Sequence, residues 1–351
     1  MLSLGKNIGK NSMEKNIIVS VVMPIYNESK YIDKCVQSLL KQDYSLESME
    51  WIFVDGNSSD DTVKKLEGYR EKYPDLIFIK NNPHKIVPYA MNIGIAASKG
   101  EYIVRLDAHA YYKADYISKC VQYLDTIDAD NVGGVAETKA NGFTGNCIAK
   151  MLSSCFGVGN SEFRINGRCG YVDTVPFGAF RREVFTKYGG YDERLIRNQD
   201  NEMNYRIRKN GGKIYLADDI HLSYYCRDSI KGISDMAMKN GMWNVITMKL
   251  CPGAMGLRHF IPLMFVLSII GLGSLGFIFK PFWWLLSVEL CSYLMLDIVF
   301  SAKVATDIKE FPMELILFPI FHILYGIGSL KGLIKLLSKE YRDVSYVAPK
   351  L

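Results

Sequence analysis

Short β-branched runs alternate with helically spaced apolar positions along the first part of the chain. Residues 17–25 (IIVSVVMPI) are almost continuously apolar, the pattern of a parallel strand buried on both faces. Residues 28–42 then place Ile32, Cys35, Val36, Leu39 and Leu40 on one helical face. Residues 51–55 (WIFVD) form a second strand, closed by the turn-rich GNSSDDT, where Asp60 or Asp61 can cap a helix reaching Tyr73. A strand at 76–80, a helix at 87–98 and a strand at 102–107 (YIVRLD) follow. This alternation predicts βαβ units and a mostly parallel sheet. The pattern loosens after Asn131. Residues 133–139 read as a further strand, 201–209 as a helix and 213–216 as a short strand. Residues 140–166, rich in Gly, Ser and Asn, read as a mobile or substrate-facing loop region.

The last third of the chain changes character. Residues 261–279 carry no charge; 282–300 include Glu289 and Asp297; 311–329 include Glu314 and two prolines. About 20 apolar residues cross a bilayer. The first run is therefore a membrane span, the other two are weaker ones because charges within spans are costly, and a buried core hairpin is the competing reading. Trp283 and Trp284 beside Lys280 resemble interface anchors. Lys331, Lys335, Lys339 and Arg342 follow the third run, so three full spans would put a basic cluster outside. Two spans with an interfacial or re-entrant third segment fit better. Residues 332–341 would then be a basic amphipathic helix on the cytosolic face.

With 351 residues and 49% hydrophobic residues, the chain is no disordered segment and has room for a full core. A net charge of +5 gives no nucleic-acid footprint. The cysteines are scattered without a CxxC pair, which disfavours zinc and suits reduced thiols in the cytosol. Residues 1–16 are polar and lack the apolar stretch of a signal peptide, so the region that follows is expected to stay cytosolic.

Ligands of open α/β sheets bind beyond the carboxyl ends of the strands. The first strand here ends in Pro24-Ile25-Tyr26-Asn27-Glu28, the second in Asp55-Gly56-Asn57-Ser58 and the fourth in Asp107-Ala108-His109. Carboxylates gathered at one edge need a cation or hydrogen-bond donors. Asp107 and His109 supply one oxygen and one nitrogen on the same side of the pleat. A divalent ion bridged to a diphosphate would satisfy both: Mg²⁺ by oxygen preference, Mn²⁺ by the imidazole. No GxGxxG or GxxxxGK[ST] occurs, so a bound nucleotide would be held by strand-end carboxylates and metal. Lys85 and Arg105 are candidate phosphate donors.

Taken together, PIYNE at 24–28, VDGNSSDDT at 54–62, AMNIG at 90–94, LDAH at 106–109 and NQDNEMNYR at 198–206 resemble the successive motifs of family 2 glycosyltransferases. The resemblance covers residues 19–225 and is greatest to bacterial exopolysaccharide glycosyltransferases of the succinoglycan type. It implies a GT-A fold, a nucleotide-diphosphate sugar donor, with UDP-hexoses as the family expectation, and an inverting mechanism. By the motif match, Pro24, Tyr26, Glu28, Asp55 and Asp107 would hold the nucleotide sugar, with Asn92 supporting that pocket. Asp107 and His109 stand at the DxD metal motif, a histidine replacing the second acid. Asp200 matches the acidic residue of the ED motif, Gln199 replacing the Glu, and would be the general base; the other reading is that it caps the 201–209 helix. Arg227 resembles a basic residue of the acceptor loop, or contacts the leaving diphosphate. Phe177, Gly178 and Arg181 would lie in an acceptor-side wall, though the aromatics of that segment could equally be core. The QxxRW motif is absent, which points to single-sugar transfer. The domains expected are a polar tail at 1–16, a GT-A domain at 17–250, a membrane-associated helical region at 258–342 and a tail at 343–351. The acceptor expected is a lipid-linked saccharide at the cell membrane. The alternative activity is a nucleotidyltransferase using the same cleft.

Overall fold

The computed structural model describes residues 16–165 and 167–338, together with Tyr341 and Pro349. The predicted N-terminal tail and most of the stretch after Ser338 lie outside the described residues. Strands β1 (Val19–Ile25), β2 (Met49–Asp55), β3 (Ile77–Asn81) and β4 (Tyr102–Arg105) open the chain, with helices α1 (Ile32–Leu39), α2 (Thr62–Lys72) and α3 (Val87–Ala97) between them. β2 is buried throughout and β1 almost so, because helices cover both sheet faces; hence their continuous apolar runs.

β5 (Ala110–Tyr112), α4 (Tyr116–Thr126) and β6 (Asn131–Lys139) follow, then α5 (Gly142–Leu152), α6 (Cys155–Val158) and α7 (Glu162–Ile165). Next come β7 (Gly170–Tyr171), β8 (Ala179–Arg181), α8 (Glu183–Tyr188), α9 (Gln199–Lys209), β9 (Ile214–Tyr225) and α10 (Ile230–Leu250). One mixed sheet runs β3-β2-β1-β4-β8-β6-β9-β5, with β7 on β9. β1 pairs in parallel with both β2 and β4. The chain therefore winds outward from β1 to β3, then returns to the other side of β1. That reversal is a topological switch point, where a crevice opens beyond the strand ends.

Two expectations are corrected here. The loop expected at 140–166 is largely helical over its described residues, 140–165: Cys147, Ile148, Met151 and Leu152 of α5 are buried with Leu317, Phe318 and Phe321. The short strand at 213–216 is the start of the long β9. Asp218 and Asp219 interrupt its apolar pattern, and the pairing with β6 shifts register there, from Gly134↔Ala217 to Val135↔His221.

The C-terminal helices are α11 (Ile261–Gly276), α12 (Pro281–Val304) and α13 (Phe311–Lys335). With the turn before α11, these are three helices long and apolar enough to cross a membrane. α13 is one continuous helix despite Pro319. It packs along α10 at backbone distance: a Cβ on Gly328 would lie 2.1 Å from the Met238 carbonyl oxygen.

Candidate active site

The loops after β1 and β2 are knitted to each other at the switch point. The Asn27 and Glu28 amides donate to Ser58 Oγ and Thr62 Oγ1 (2.9 and 2.8 Å), and Ser59 N donates to Asn27 Oδ1 (2.8 Å). Asp60 accepts from Ser29 N and Thr62 N, and these bonds overcome burial to hold its pKa down at about 2. Asp60 thus clamps the two loops together. Asp55 lies in register with Ile25, buried, and accepts from Ser58 N and Oγ. Pro24 pairs with Val54 inside β1, whereas Tyr26 stands 49% exposed at the rim.

β4 ends at Arg105, and Asp107 follows two residues beyond it, within reach of the Arg105 guanidinium. Arg105 is 4% exposed. Its Nη2 lies 3.4 Å from Asp107 Oδ1, its Nη1 pairs with Asp200 Oδ1, and its guanidinium lies 5.8 Å over the Phe177 ring. Burial disfavours this cation, but Asp200 and Asp107 outweigh burial and raise its pKa. The expected phosphate donor is thus a buried counter-charge beneath the cleft. Asp200 lies in the first turn of α9, and its carboxylate turns to Arg105. Burial raises the Asp200 pKa, against the opposing pull of Arg105.

His109 Nδ1 lies 3.1 Å from Glu28 Oε1. Burial opposes a charged imidazole, but the Glu28 bond and the field of Asp107 prevail and raise the His109 pKa. Glu28 therefore orients the imidazole, and an Nδ1 proton aimed at Glu28 leaves Nε2 free as a ligand. Among the described residues no group of three or more His, Cys, Asp and Glu side chains surrounds a metal position. One carboxylate and one imidazole fit a divalent ion that takes its other ligands from diphosphate oxygens and water.

The remaining predicted residues divide. Asn92 spends its amide on Tyr191 N, Tyr191 O and Glu193 Oε1, fastening the loop whose buried Tyr191 neighbours Asp200 and Arg105. Phe177 is buried at positive φ (+48°) beneath Arg105 and beside Tyr224, so it is wall and core at once. Gly178 admits no sugar: a Cβ there would lie 2.1 Å from Asn131 Oδ1, so the close approach is to Asn131. Arg181 is not part of the cluster. It faces Tyr102 at the amino end of β4 and is tied to Asp125 (2.9 Å) and the Leu124 carbonyl. Arg227 is exposed after β9, near enough to oppose charge on His109.

Sequence reasoning missed Arg164 and Arg197. Arg164 lies 5.6 Å over the Tyr224 ring, which also neighbours His109 (5.4 Å between centroids), and donates to Thr138 Oγ1. Arg197 donates to Asn240 Oδ1 (2.7 Å). Burial lowers both pKa values, and neither has a carboxylate partner among the described residues. Arg197 carried a signal, three positions before Asp200; Arg164 carried none.

Residues 20–189 match the profile of glycosyl transferase family 2. The dolichyl N-acetyl-alpha-D-glucosaminyl phosphate 3-beta-D-2,3-diacetamido-2,3-dideoxy-beta-D-glucuronosyltransferase of Methanococcus voltae is 28% identical over 330 residues, 90% of this chain and 97% of that protein. The succinoglycan biosynthesis protein ExoA of Rhizobium meliloti is 28% identical over 209 residues, 59% of this chain and 63% of that protein. The mannosyltransferase PcManGT from Pyrobaculum calidifontis, solved with GDP-Man and Mn²⁺, shares the fold with a TM-score of 0.54 at 18% identity, over 92% of this chain and 81% of that one. The GT-A architecture, the motif series and these relatives set aside the nucleotidyltransferase alternative: residues 20–189 match a glycosyl transferase family 2 domain, and the protein is a glycosyltransferase.

Proposed function

We propose that the protein transfers one sugar, with inversion, from a nucleotide-diphosphate sugar of the UDP-hexose class to a lipid-linked saccharide, in cell-surface polysaccharide synthesis. One observation carries this reading: Asp107 and Asp200, far apart in sequence, share the buried Arg105 at the switch point. The relative from Methanococcus voltae acts by name on a dolichyl phosphate-linked sugar, which supports the acceptor class. Three helices fit for a membrane support a place beside that acceptor; the proposed side for the catalytic domain is the cytosolic one.

In this mechanism Pro24, Tyr26 and Asp55 border the nucleoside, and Asn92 acts through the Tyr191 loop. A divalent cation, Mn²⁺ or Mg²⁺, on Asp107 and His109 would neutralise the diphosphate as it leaves. Asp200 takes the proton of the acceptor hydroxyl while its oxygen bonds to the anomeric carbon. The bond from that carbon to the phosphate oxygen breaks, and its electron pair leaves on the nucleoside diphosphate. Attack from the face opposite the leaving group inverts the anomeric centre. A late proton transfer of this kind contributes about 10²–10⁴-fold. Arg105 opposes the burial that raises the Asp200 pKa, and exposed Arg227 would lie near the diphosphate.

The test is a donor screen in membranes with Mn²⁺ or Mg²⁺, scored by nucleoside diphosphate release and the mass of the lipid product. Asp200→Asn should lower transfer about 10²-fold or more while donor binding persists. Near-normal turnover in that variant would remove Asp200 from the base role.

A further inference from the structure

A cavity of about 510 Å³ lies between the catalytic domain and the apolar helices. Its inner end is polar, lined by Thr174, Arg164 and Asn201, the residue after Asp200. Its outer end is lined by Phe265, Leu296 and Phe321 of α11, α12 and α13. The cavity thus runs from Asn201, the neighbour of Asp200 in α9, to the apolar helices.

Charge marks the inner end. Arg164 is a cation at a desolvated position with only a hydroxyl to donate to among the described residues. Arg197 is bonded to Asn240, which itself lines the cavity. Desolvated cations without counter-charge are costly, and an anionic ligand removes that cost. At the mouth, Ile261 and Leu296 are 65% and 50% exposed, so the cavity opens sideways between helices. Stacked Phe265 and Tyr293 rings (4.6 Å) give that mouth flat walls. The volume is that of a site for a small ligand, roughly 300–1,000 Å³. It holds a phosphate, a sugar and the first carbons of one chain, and the rest of the chain must stay in the bilayer.

Resting on the glycosyl-transfer reading, we propose that this cavity seats the lipid-phosphate end of the acceptor, a saccharide on a single-chain polyisoprenyl phosphate. The phosphate lies against Arg164, with Asn240 held by Arg197 beside it, the first isoprene units lie along Phe265, Leu296 and Phe321, and the sugar is presented toward Asp200.

The test uses the full chain in lipid nanodiscs and a polyisoprenyl phosphate with a diazirine in its first isoprene unit. Photolabelling should map to peptides of α11 and α12 that contain Phe265 or Leu296. Arg164→Gln should cut labelling about tenfold, the weight of one charge-assisted contact, and Arg164→Lys should restore part of it. Leu296→Trp, which narrows the mouth without touching the phosphate end, should also cut it. Labelling spread over the lipid-facing helix surface, labelling unchanged in Arg164→Gln, or equal competition by phosphatidylglycerol would overturn the proposal. Donor binding, measured by calorimetry on the same samples, tests the glycosyl-transfer reading separately. Intact donor binding with scattered labelling sinks only the acceptor seat.

Discussion

A guanidinium at 4% exposure, with a carboxylate on either side, sets the charge balance at the centre of the cleft. As the proposed base, Asp200 must be ionised to accept a proton, so activity should be present above its pKa and lost as pH falls through it. Burial already raises that pKa, and Arg105 holds it back. Arg105→Gln should therefore move the acid limb of the kcat/KM profile to higher pH. On that limb the ionised fraction, and the rate with it, falls about tenfold for each pH unit. An unmoved acid limb would mean that Asp200 is not the group titrating. Half of this arrangement was legible: in RLDAH, Arg105 stands two positions before Asp107 at a strand end. The other half was not, because Asp200 reaches Arg105 across 95 positions of sequence. The Glu28–His109 pair was hidden in the same way, by 81 positions.

Among the elements, α10 does the most to join chemistry to the apolar helices. Asn198, at positive φ (+64°) just before α9, donates its amide to Asn244 Oδ1 (2.8 Å) and Thr247 Oγ1 (3.2 Å) of α10. Asn244 in turn donates to the Tyr325 hydroxyl of α13. The turn that aims Asp200 is therefore anchored through α10. Asn244→Ala should lower kcat about 10–10²-fold through misplacement of Asp200, with donor KM nearly unchanged. A proportional rise in donor KM would show that the link supports the nucleotide pocket instead. The α10–α13 contact is sterically exacting, and Gly328→Val should cost about 1–3 kcal/mol, read as a lower melting temperature in detergent. The strands and helices up to β4 were legible because each buries a periodic face. α5 was not, since Gly, Asn and Ser in GFTGNCIAKMLSS weigh toward loop until α13 supplies the apolar surface.

At the scale of the molecule, the helices stand on the catalytic domain in a way that constrains how the chain meets a bilayer. The foot of α11 is fixed by Arg258 to Asp173 (2.7 Å), and the end of α12 by Thr306 to Lys150 (2.6 Å). Between them, the turn at Phe277 and Ile278 is 84% exposed. α11 and α12 thus form a hairpin with both feet on the domain and an apolar tip. α13 differs, because both its ends are held to that domain. Lys150 bonds Glu310 (2.6 Å) at its start, and a Cβ on Gly332 near its end would lie 2.7 Å from the Met242 carbonyl. A helix bound at both ends to a domain on one side of a membrane cannot cross that membrane. On the reading of two crossings by the hairpin, with α13 lying along the domain, Lys331 and Lys335 would stay on the side of the catalytic domain, as the proposed cytosolic placement of basic residues requires. A reporter fused after Leu351 should therefore register on the same side as the catalytic domain. A cysteine at Lys280, in the turn, should react with an impermeant maleimide added from the opposite side. A reporter on the far side would show that α13 spans and that its contacts with α10 and α5 break in the bilayer.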